Sequence, residues 1–372
     1  MTDIPETAMA ATLVEFGQPL ELVQAPVPRE LEHGSILVRT TTATICGTDV
    51  HHWTGEAGAD APRPRILGHE MVGRVARLGA GVTADSLGQP LAEGDRIVWA
   101  HGWCGQCYEC VVAHQPTSCS GDVRTYMTRS VAEYPYLTGG FAEYCYVYPR
   151  SGRVKVPDAI ADSVASASSC ALRTVVHAFD ELGVLDDRHS VVIQGSGPLG
   201  LFAVAKAALS SAAQVIVLGA PQARLDIASR WGATHILDIE AVPDPAERAA
   251  AVRALTDGKG ADVVVELSGA RSAFLEGFDM LRRGGRYLVV GQLHPDTVAF
   301  RPRDIILKRA TIIGSASASI DHYYRSLQFL ERHSDRFDWS EMISTTYRLG
   351  EINEALERVR TFQEIKAAIT FA

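Results

Sequence analysis

The stretch that most restricts the fold runs from Ser190-Val191-Val192-Ile193-Gln194 through Gly195-Ser196-Gly197-Pro198-Leu199-Gly200 into Leu201-Phe202-Ala203-Val204-Ala205-Lys206-Ala207. A β-branched apolar run leads into three glycines spaced G-x-G-x-x-G, and a helix former follows. The first glycine permits a tight turn, the second lets backbone approach a pyrophosphate, and the third lets helix pack on strand. The phosphate would lie at the helix N-terminus, where unpaired N–H groups favour an anion. Such a glycine triplet alone is weak. With a strand before it, a helix after it and a second apolar run at 214–218, it predicts a dinucleotide site built on Gly195, Gly197, Pro198, Leu199 and Gly200.

The surrounding pattern extends this unit. From about Ala167 to about Arg309, apolar runs at 190–194, 214–218, 235–237, 261–266, 286–290 and 311–313 alternate with helical stretches. Strands rich in Val and Ile, separated by helices, imply a doubly wound parallel sheet. From the N-terminus to about Ser166, β-type runs such as Ile36-Leu37-Val38-Arg39-Thr40 alternate with Gly- and Pro-rich turns, as in an irregular β-barrel-like domain. A helix at 352–362 and a strand at 367–371 are expected to return to that first domain. The α/β chain of 372 residues therefore reads as two domains, 1–166 with 310–372 and 167–309, with a cleft between them as the expected active site. Residues 241–251 form a charged, alanine-rich helix candidate with no evident chemistry.

Cys46, His69 and Cys170 offer a second chemistry. They stand in Cys46-Gly47-Thr48-Asp49, Gly68-His69-Glu70 and Ser169-Cys170-Ala171. Two thiolates and an imidazole leave one open position on Zn²⁺, the arrangement of a catalytic site. Cys104, Cys107, Cys110 and Cys119 lie close together, which reads as a closed structural zinc lobe. Disulfides are disfavoured, because no apolar signal peptide precedes the first strand-like stretch and the total of 7 Cys is odd. A net charge of -9 argues against nucleic acid or an anionic membrane as partner. No apolar run reaches transmembrane length, so the expectation is a soluble cytoplasmic protein.

With these elements in this order, the chain resembles the zinc-dependent alcohol dehydrogenases of the medium-chain dehydrogenase/reductase superfamily. The resemblance runs nearly end to end and is most specific at Gly68-His69-Glu70-Met71-Val72-Gly73-Arg74-Val75, with Gly79 and Val82 beyond. Gly94-Asp95-Arg96-Ile97-Val98, Gly139-Gly140-Phe141-Ala142-Glu143-Tyr144 and Ile365-Lys366-Ala367 match as well. The gap from Cys110 to Cys119 is one residue longer than the family's commonest spacing, which a loop can absorb. The family's fold is a GroES-like catalytic domain joined to a Rossmann domain. Its activity is oxidation of an alcohol to a ketone or aldehyde with NAD or NADP, usually in a homodimer or homotetramer.

The resemblance also implies residue roles. Thr48 would accept the alcohol proton through its hydroxyl, and His51 would pass it to solvent. Asp49 would hold the other N–H of the ligand His69. Glu70 could approach the metal or pair with a buried cation such as Lys366. Cys170 matches the segment where the third ligand begins the helix crossing between domains, and Thr174 becomes a nicotinamide neighbour. Outside these roles, Cys145 is expected in the core, His52 as a bystander of the relay, and His177 as a packing or inter-domain residue.

Cofactor choice is less direct. An NAD site usually ends its second strand with an acid that holds the ribose 2′-OH. Here the strand ends Leu218-Gly219-Ala220-Pro221, with no Arg or Lys immediately after to bind a 2′-phosphate. NAD is favoured, with NADP possible; backbone at Gly219 and Ala220 would serve the ribose, and Arg224 is the nearby basic residue. Trp53 and the tyrosines of the segment 122–137 (Tyr126, Tyr134, Tyr136) suggest a bulky secondary or cyclic alcohol. A polyol or sugar dehydrogenase is the alternative, disfavoured because many such enzymes carry an acid where this chain has Cys170. A nicotinamide-binding protein without turnover is a distant third.

Overall fold

The computed structural model describes residues 4–121, 126–292 and 297–371. The chain divides into two compact units, Met1–Arg173 with Ala318–Ala372, and Thr174–Ser317. Both divisions fall a few residues later than the sequence pattern suggests. The turn at Ser168–Leu172 packs on strands Glu70–Leu78 and Arg96–Gly102 and so belongs to the first unit. Ser315 and Ser317 both meet His177, keeping that stretch with the second.

The second unit is a six-stranded sheet in which every pairing is parallel. In spatial order its strands are His235–Asp238, Gln214–Gly219, Ser190–Gln194, Ala261–Glu266, Leu281–Val289 and Thr311–Gly314. Val191, Val192 and Ile193 are wholly buried, as expected of a central strand covered on both faces. Strand order reverses on the two sides of Ser190–Gln194, so a ligand crevice opens beyond its carboxyl end. The alanine-rich helix starts later than its composition suggests, at Pro245–Leu255. Asp244 caps it by accepting the Ala246 N–H at 2.9 Å, and proline occupies the first turn.

The first unit is built on a mainly antiparallel sheet ordered Ile343–Arg348, Lys366–Thr370, Ile36–Thr44, Glu70–Leu78, Arg96–Gly102, Ser151–Lys155, with Tyr144–Val147 also pairing Ile36–Thr44. A smaller sheet joins Glu21–Pro26, Thr7–Leu13 and Arg65–Ile66. Ile36, Leu37, Ile97, Leu137 and Phe141 are fully buried in its core. The late strand Lys366–Thr370 runs antiparallel to Ile36–Thr44, and Thr44 in turn pairs with Glu70. That register gathers three distant polar residues at one end of the sheet. Among the described residues, no helix is long and apolar enough to cross a membrane.

Candidate active site

Strand Ile36–Thr44 ends just before Cys46, which caps helix Gly47–Thr54. Asp49, in the first turn, accepts the Cys46 N–H at 2.8 Å through Oδ2, the returning half of a capping box. Its Oδ1 accepts the Gly68 N–H at 3.2 Å and lies 3.2 Å from His69 Nδ1. Asp49 is wholly buried. One carboxylate therefore fixes the loops that carry two of the candidate ligands. With Nδ1–H directed at Asp49, His69 keeps the Nε2 lone pair for a metal. Burial opposes charge on His69, but Asp49 and Cys170 outweigh it and raise its pKa well above the ordinary value.

Cys170 lies in a π-helical turn, Ser168–Leu172, between helices Asp162–Ala167 and Arg173–Leu182. Such widened turns are frequent at functional sites. Ligand atoms of Cys46, His69, Glu70 and Cys170 all lie within 4.8 Å of one another. Two sulfurs and an imidazole nitrogen at that spacing suit a tetrahedral Zn²⁺ with bonds of about 2.0–2.3 Å. Hydrogen bonding to Cys170, together with burial, pushes the Cys46 thiol up to about 11. The same hydrogen bond holds Cys170 well below the usual thiol range. A cation held between the two sulfurs would displace thiol protons and gain both thiolates.

Glu70 belongs to this cluster by position, yet it is also a buried ion-pair partner. Lys366 Nζ lies 2.9 Å from Oε1 and 2.8 Å from Oε2, and donates to the Ile45 carbonyl at 3.2 Å. Thr44 Oγ1 donates to Oε2 at 2.5 Å, and Ser166 Oγ donates to the Glu70 carbonyl at 2.9 Å. Burial lifts the Glu70 carboxyl to about 7, with Lys366 opposing the rise.

The expected proton path is only partly assembled. Thr48 is half-buried, with Oγ1 3.8 Å from Cys46 Sγ. His51 Nδ1 meets Glu56 Oε2 at 2.6 Å on an exposed surface. Among the described residues, no hydrogen bond joins His51 to Thr48. His52 lies against Arg65, and burial lowers its pKa to about 4. His177 hydrogen-bonds the Ser317 carbonyl at 3.0 Å, and Cys145 is a fully buried core residue.

Of the aromatic residues expected to wall a pocket, Trp53 and Tyr126 are buried among core residues, while Tyr134 is exposed and Tyr136 half-buried. Trp53 is buried in the core and donates to the Gln18 carbonyl at 2.6 Å. Tyr126 sits edge-on to Tyr148, Tyr148 to Tyr146, Tyr146 to Tyr134 and Tyr134 to Tyr136. Edge-to-face contact satisfies these rings among themselves. The first four residues of that segment, 122–125, lie outside the described residues.

Three residues near the site escaped the sequence reading. Arg173 donates through Nη2 to Cys170 Sγ at 3.9 Å, and its guanidinium lies 5.5 Å from the Tyr323 ring centroid. His101 stacks edge-on against Tyr126, and burial, with His69 and Arg173 nearby, drops its pKa to about 3. Arg173 follows Cys170 by three positions, a spacing that could have flagged it. Tyr323 and His101 carry no local signal.

The four-cysteine lobe is also gathered. Cys104 and Cys110 sulfurs lie 3.9 Å apart, and those of Cys107 and Cys119 3.8 Å apart. All are free thiols. Backbone N–H groups of Gln106 and Cys107 point at Cys104 Sγ and lower its pKa to about 6. The longer gap before Cys119 is taken up partly by the 3₁₀ turn Pro116–Ser118. Four convergent sulfurs with N–H donors suit a closed zinc site.

In the second unit, Gly197 caps helix Pro198–Leu209. A Cβ on Gly200 would stand 1.9 Å from the Gly195 carbonyl oxygen, so the helix can approach the strand only with glycine there. A Cβ on Gly197 would meet nothing within 4 Å, leaving that flank open for a pyrophosphate. At the end of the second strand, Ser196 Oγ donates to the Ala220 carbonyl at 3.0 Å, and a Cβ on Gly219 would stand 2.3 Å from that hydroxyl oxygen. Gly219 is thus required by packing. Leu199 lies in the first helical turn, Arg224 is buried on helix Gln222–Arg230, and Thr174 is buried near the start of Arg173–Leu182.

A GroES-like unit that gathers Cys46, His69, Glu70 and Cys170 in one cluster and four cysteines in another, joined to a Rossmann sheet, has the architecture of the zinc- and nicotinamide-dependent dehydrogenases. Residues 32–158 match the alcohol dehydrogenase GroES-like domain, and residues 198–332 match the zinc-binding dehydrogenase family. The chain belongs to the zinc-dependent alcohol dehydrogenase family of the medium-chain dehydrogenase/reductase superfamily. It is 34% identical over 368 residues to 5-exo-hydroxycamphor dehydrogenase of Pseudomonas putida, covering 97% of this chain and 98% of that protein. Sorbitol dehydrogenase of Halalkalibacterium halodurans is 30% identical, covering 93% and 94%. The crystal structure of an alcohol dehydrogenase from Thermotoga maritima superposes with TM-score 0.90 at 35% identity, covering 98% and 99%.

Proposed function

We propose that this alcohol dehydrogenase oxidises a bulky secondary or cyclic alcohol to its ketone using NAD. Cys46, His69 and Cys170 hold the catalytic zinc, while Cys104, Cys107, Cys110 and Cys119 hold a structural one. The observation that carries this reading is the convergence of two thiols and one imidazole within 4.8 Å, with Asp49 fixing the imidazole. Zinc held there would supply Lewis acidity toward a hydroxyl oxygen, and a nicotinamide would supply the hydride acceptor. Asp49 orients His69, and Lys366 neutralises Glu70 beside the ligands. Thr48 takes the proton that the alcohol loses. His51, already joined to Glu56, releases it to solvent from the exposed face of the same helix.

Gly195, Gly197, Pro198, Leu199 and Gly200 would hold the pyrophosphate, Gly219 and Ala220 the ribose, and Arg224 and Thr174 would complete the cofactor site. The lack of Arg or Lys directly after Ala220 supports NAD over NADP. The hydroxycamphor relative supports a cyclic substrate. A polyol substrate is the second reading, supported by the sorbitol relative and opposed by Cys170 in place of an acid. Family precedent supports a cytoplasmic homodimer or homotetramer.

The test is nicotinamide reduction by zinc-replete protein with primary, secondary, cyclic, benzylic and polyol alcohols, each with NAD⁺ and NADP⁺. Turnover of cyclic alcohols with NAD⁺, lost on chelation, is expected. A clear preference for sorbitol-like polyols would overturn the substrate assignment, and unchanged turnover in His69→Ala would overturn the site.

A further inference from the structure

We infer that Arg173 is a positioning residue for the third sulfur ligand, withdrawing charge from Cys170 through a hydrogen bond and thereby tuning the metal held there. The inference rests on the proposed zinc centre. It begins with helix geometry: Arg173 follows Cys170 by three residues, just past the π-helical turn, so the two side chains share a face. Arg173 Nη2 lies 3.9 Å from Cys170 Sγ, and Nε donates to the Ser169 carbonyl at 3.2 Å. The guanidinium plane is held from another side by the Tyr323 ring, at 5.5 Å. Arg173 is 5% exposed and Tyr323 2%.

A guanidinium is a rigid fork of donors that keeps its charge when buried. Fixed by a carbonyl and an aromatic face, it has little freedom to swing away from the sulfur. A charge-assisted N–H···S bond to a thiolate drains electron density from sulfur, and the low local dielectric strengthens that effect. Sulfur that gives less charge to a metal leaves the metal a stronger Lewis acid. Partners behind the ligands commonly change metal affinity by about 10–100-fold.

The experiment uses the full chain loaded with Co²⁺, whose sulfur-to-metal charge-transfer absorption reports thiolate electron density. Imidazole added to the open position separates the three-ligand centre from the four-cysteine lobe, since only the former can admit a fourth donor. Arg173→Gln is expected to shift the imidazole-responsive band to longer wavelength, because the thiolate regains the charge that the guanidinium withdrew. Arg173→Lys keeps the charge without the fork and should fall between the two. Tyr323→Leu removes the aromatic support and should shift the band the same way by less, which preserves a readout if Arg173→Gln does not fold. An unshifted band in folded Arg173→Gln, or in Tyr323→Leu if the former fails, overturns the inference. Absence of any imidazole-responsive band in the unmodified protein would instead overturn the zinc centre itself.

Discussion

Lys366 Nζ lies within 2.9 Å of both carboxylate oxygens of Glu70, across 296 residues of sequence, and both side chains are almost wholly buried. A buried pair adds little net stability, but removing one partner strands the other charge. Lys366→Met should therefore cost about 3–5 kcal/mol in urea unfolding of the zinc-loaded protein. Glu70→Gln, which keeps acceptors and a similar shape, should be damaging for the same reason, and the double variant Glu70→Gln/Lys366→Met less so than the sum. Strict additivity would refute the coupling.

Asp49 fixes both the Cys46 turn and the His69 ring. Asp49→Asn should retain the fold and lower metal affinity at the three-ligand centre by about 10–100-fold, read by chelator competition. Wild-type affinity in this variant would remove Asp49 from the site's support.

Acid should destabilise the protein through two histidines. Burial is the largest cause holding His52 to about 4 and His101 to about 3, both below the ordinary 6.5. As pH falls below 6.5, the unfolded chain binds these protons before the folded one does, so stability drops from there toward about 4 and is unaffected by them above neutrality. Each full proton contributes a slope of at most about 1.4 kcal/mol per pH unit, less for the partly exposed His52. His101→Asn and His52→Asn should each flatten the urea midpoint between pH 6.5 and 5; identical slopes would contradict the burial argument.

Metal content separates the two clusters. Cys110→Ser should reduce zinc from about two to about one per chain and lower the melting temperature, because metal binding at a closed site is coupled to local folding. Two zinc ions retained at full occupancy would rule out the lobe.

Gly219 cannot carry a side chain against Ser196, so a discriminating carboxylate must come from the next position. Ala220→Asp should sharpen NAD preference by about tenfold or more against NADP, roughly 1.4 kcal/mol, through repulsion of the 2′-phosphate. Equal use of both cofactors by this variant would show that Ala220 does not face the ribose.

Features encoded within a few consecutive residues were legible in the sequence. The strand–glycine–helix passage, the four clustered cysteines and the local settings of Cys46, His69 and Cys170 depend on short-range geometry that spacing reveals. The Glu70–Lys366 pairing was legible as one of two possibilities, because each residue stood in a recognisable segment. The burial of Trp53 and Tyr126 in the core was not legible, since an aromatic side chain looks the same in sequence whether it faces substrate or core. The Arg173–Tyr323 contact was hidden for another reason: it depends on how helix Ile320–Arg332 packs against the π-helical turn, and no local pattern records that.

The register that places Lys366 beside Glu70 also orders events during synthesis. Glu70 leaves the ribosome 296 residues before the lysine that neutralises it. Until strand Lys366–Thr370 lies between Ile36–Thr44 and Ile343–Arg348, the Glu70 carboxylate lacks the ammonium that accompanies its burial. Enclosure of the Glu70 carboxylate with its counter-charge therefore waits on that strand, whatever the state of the residues around it.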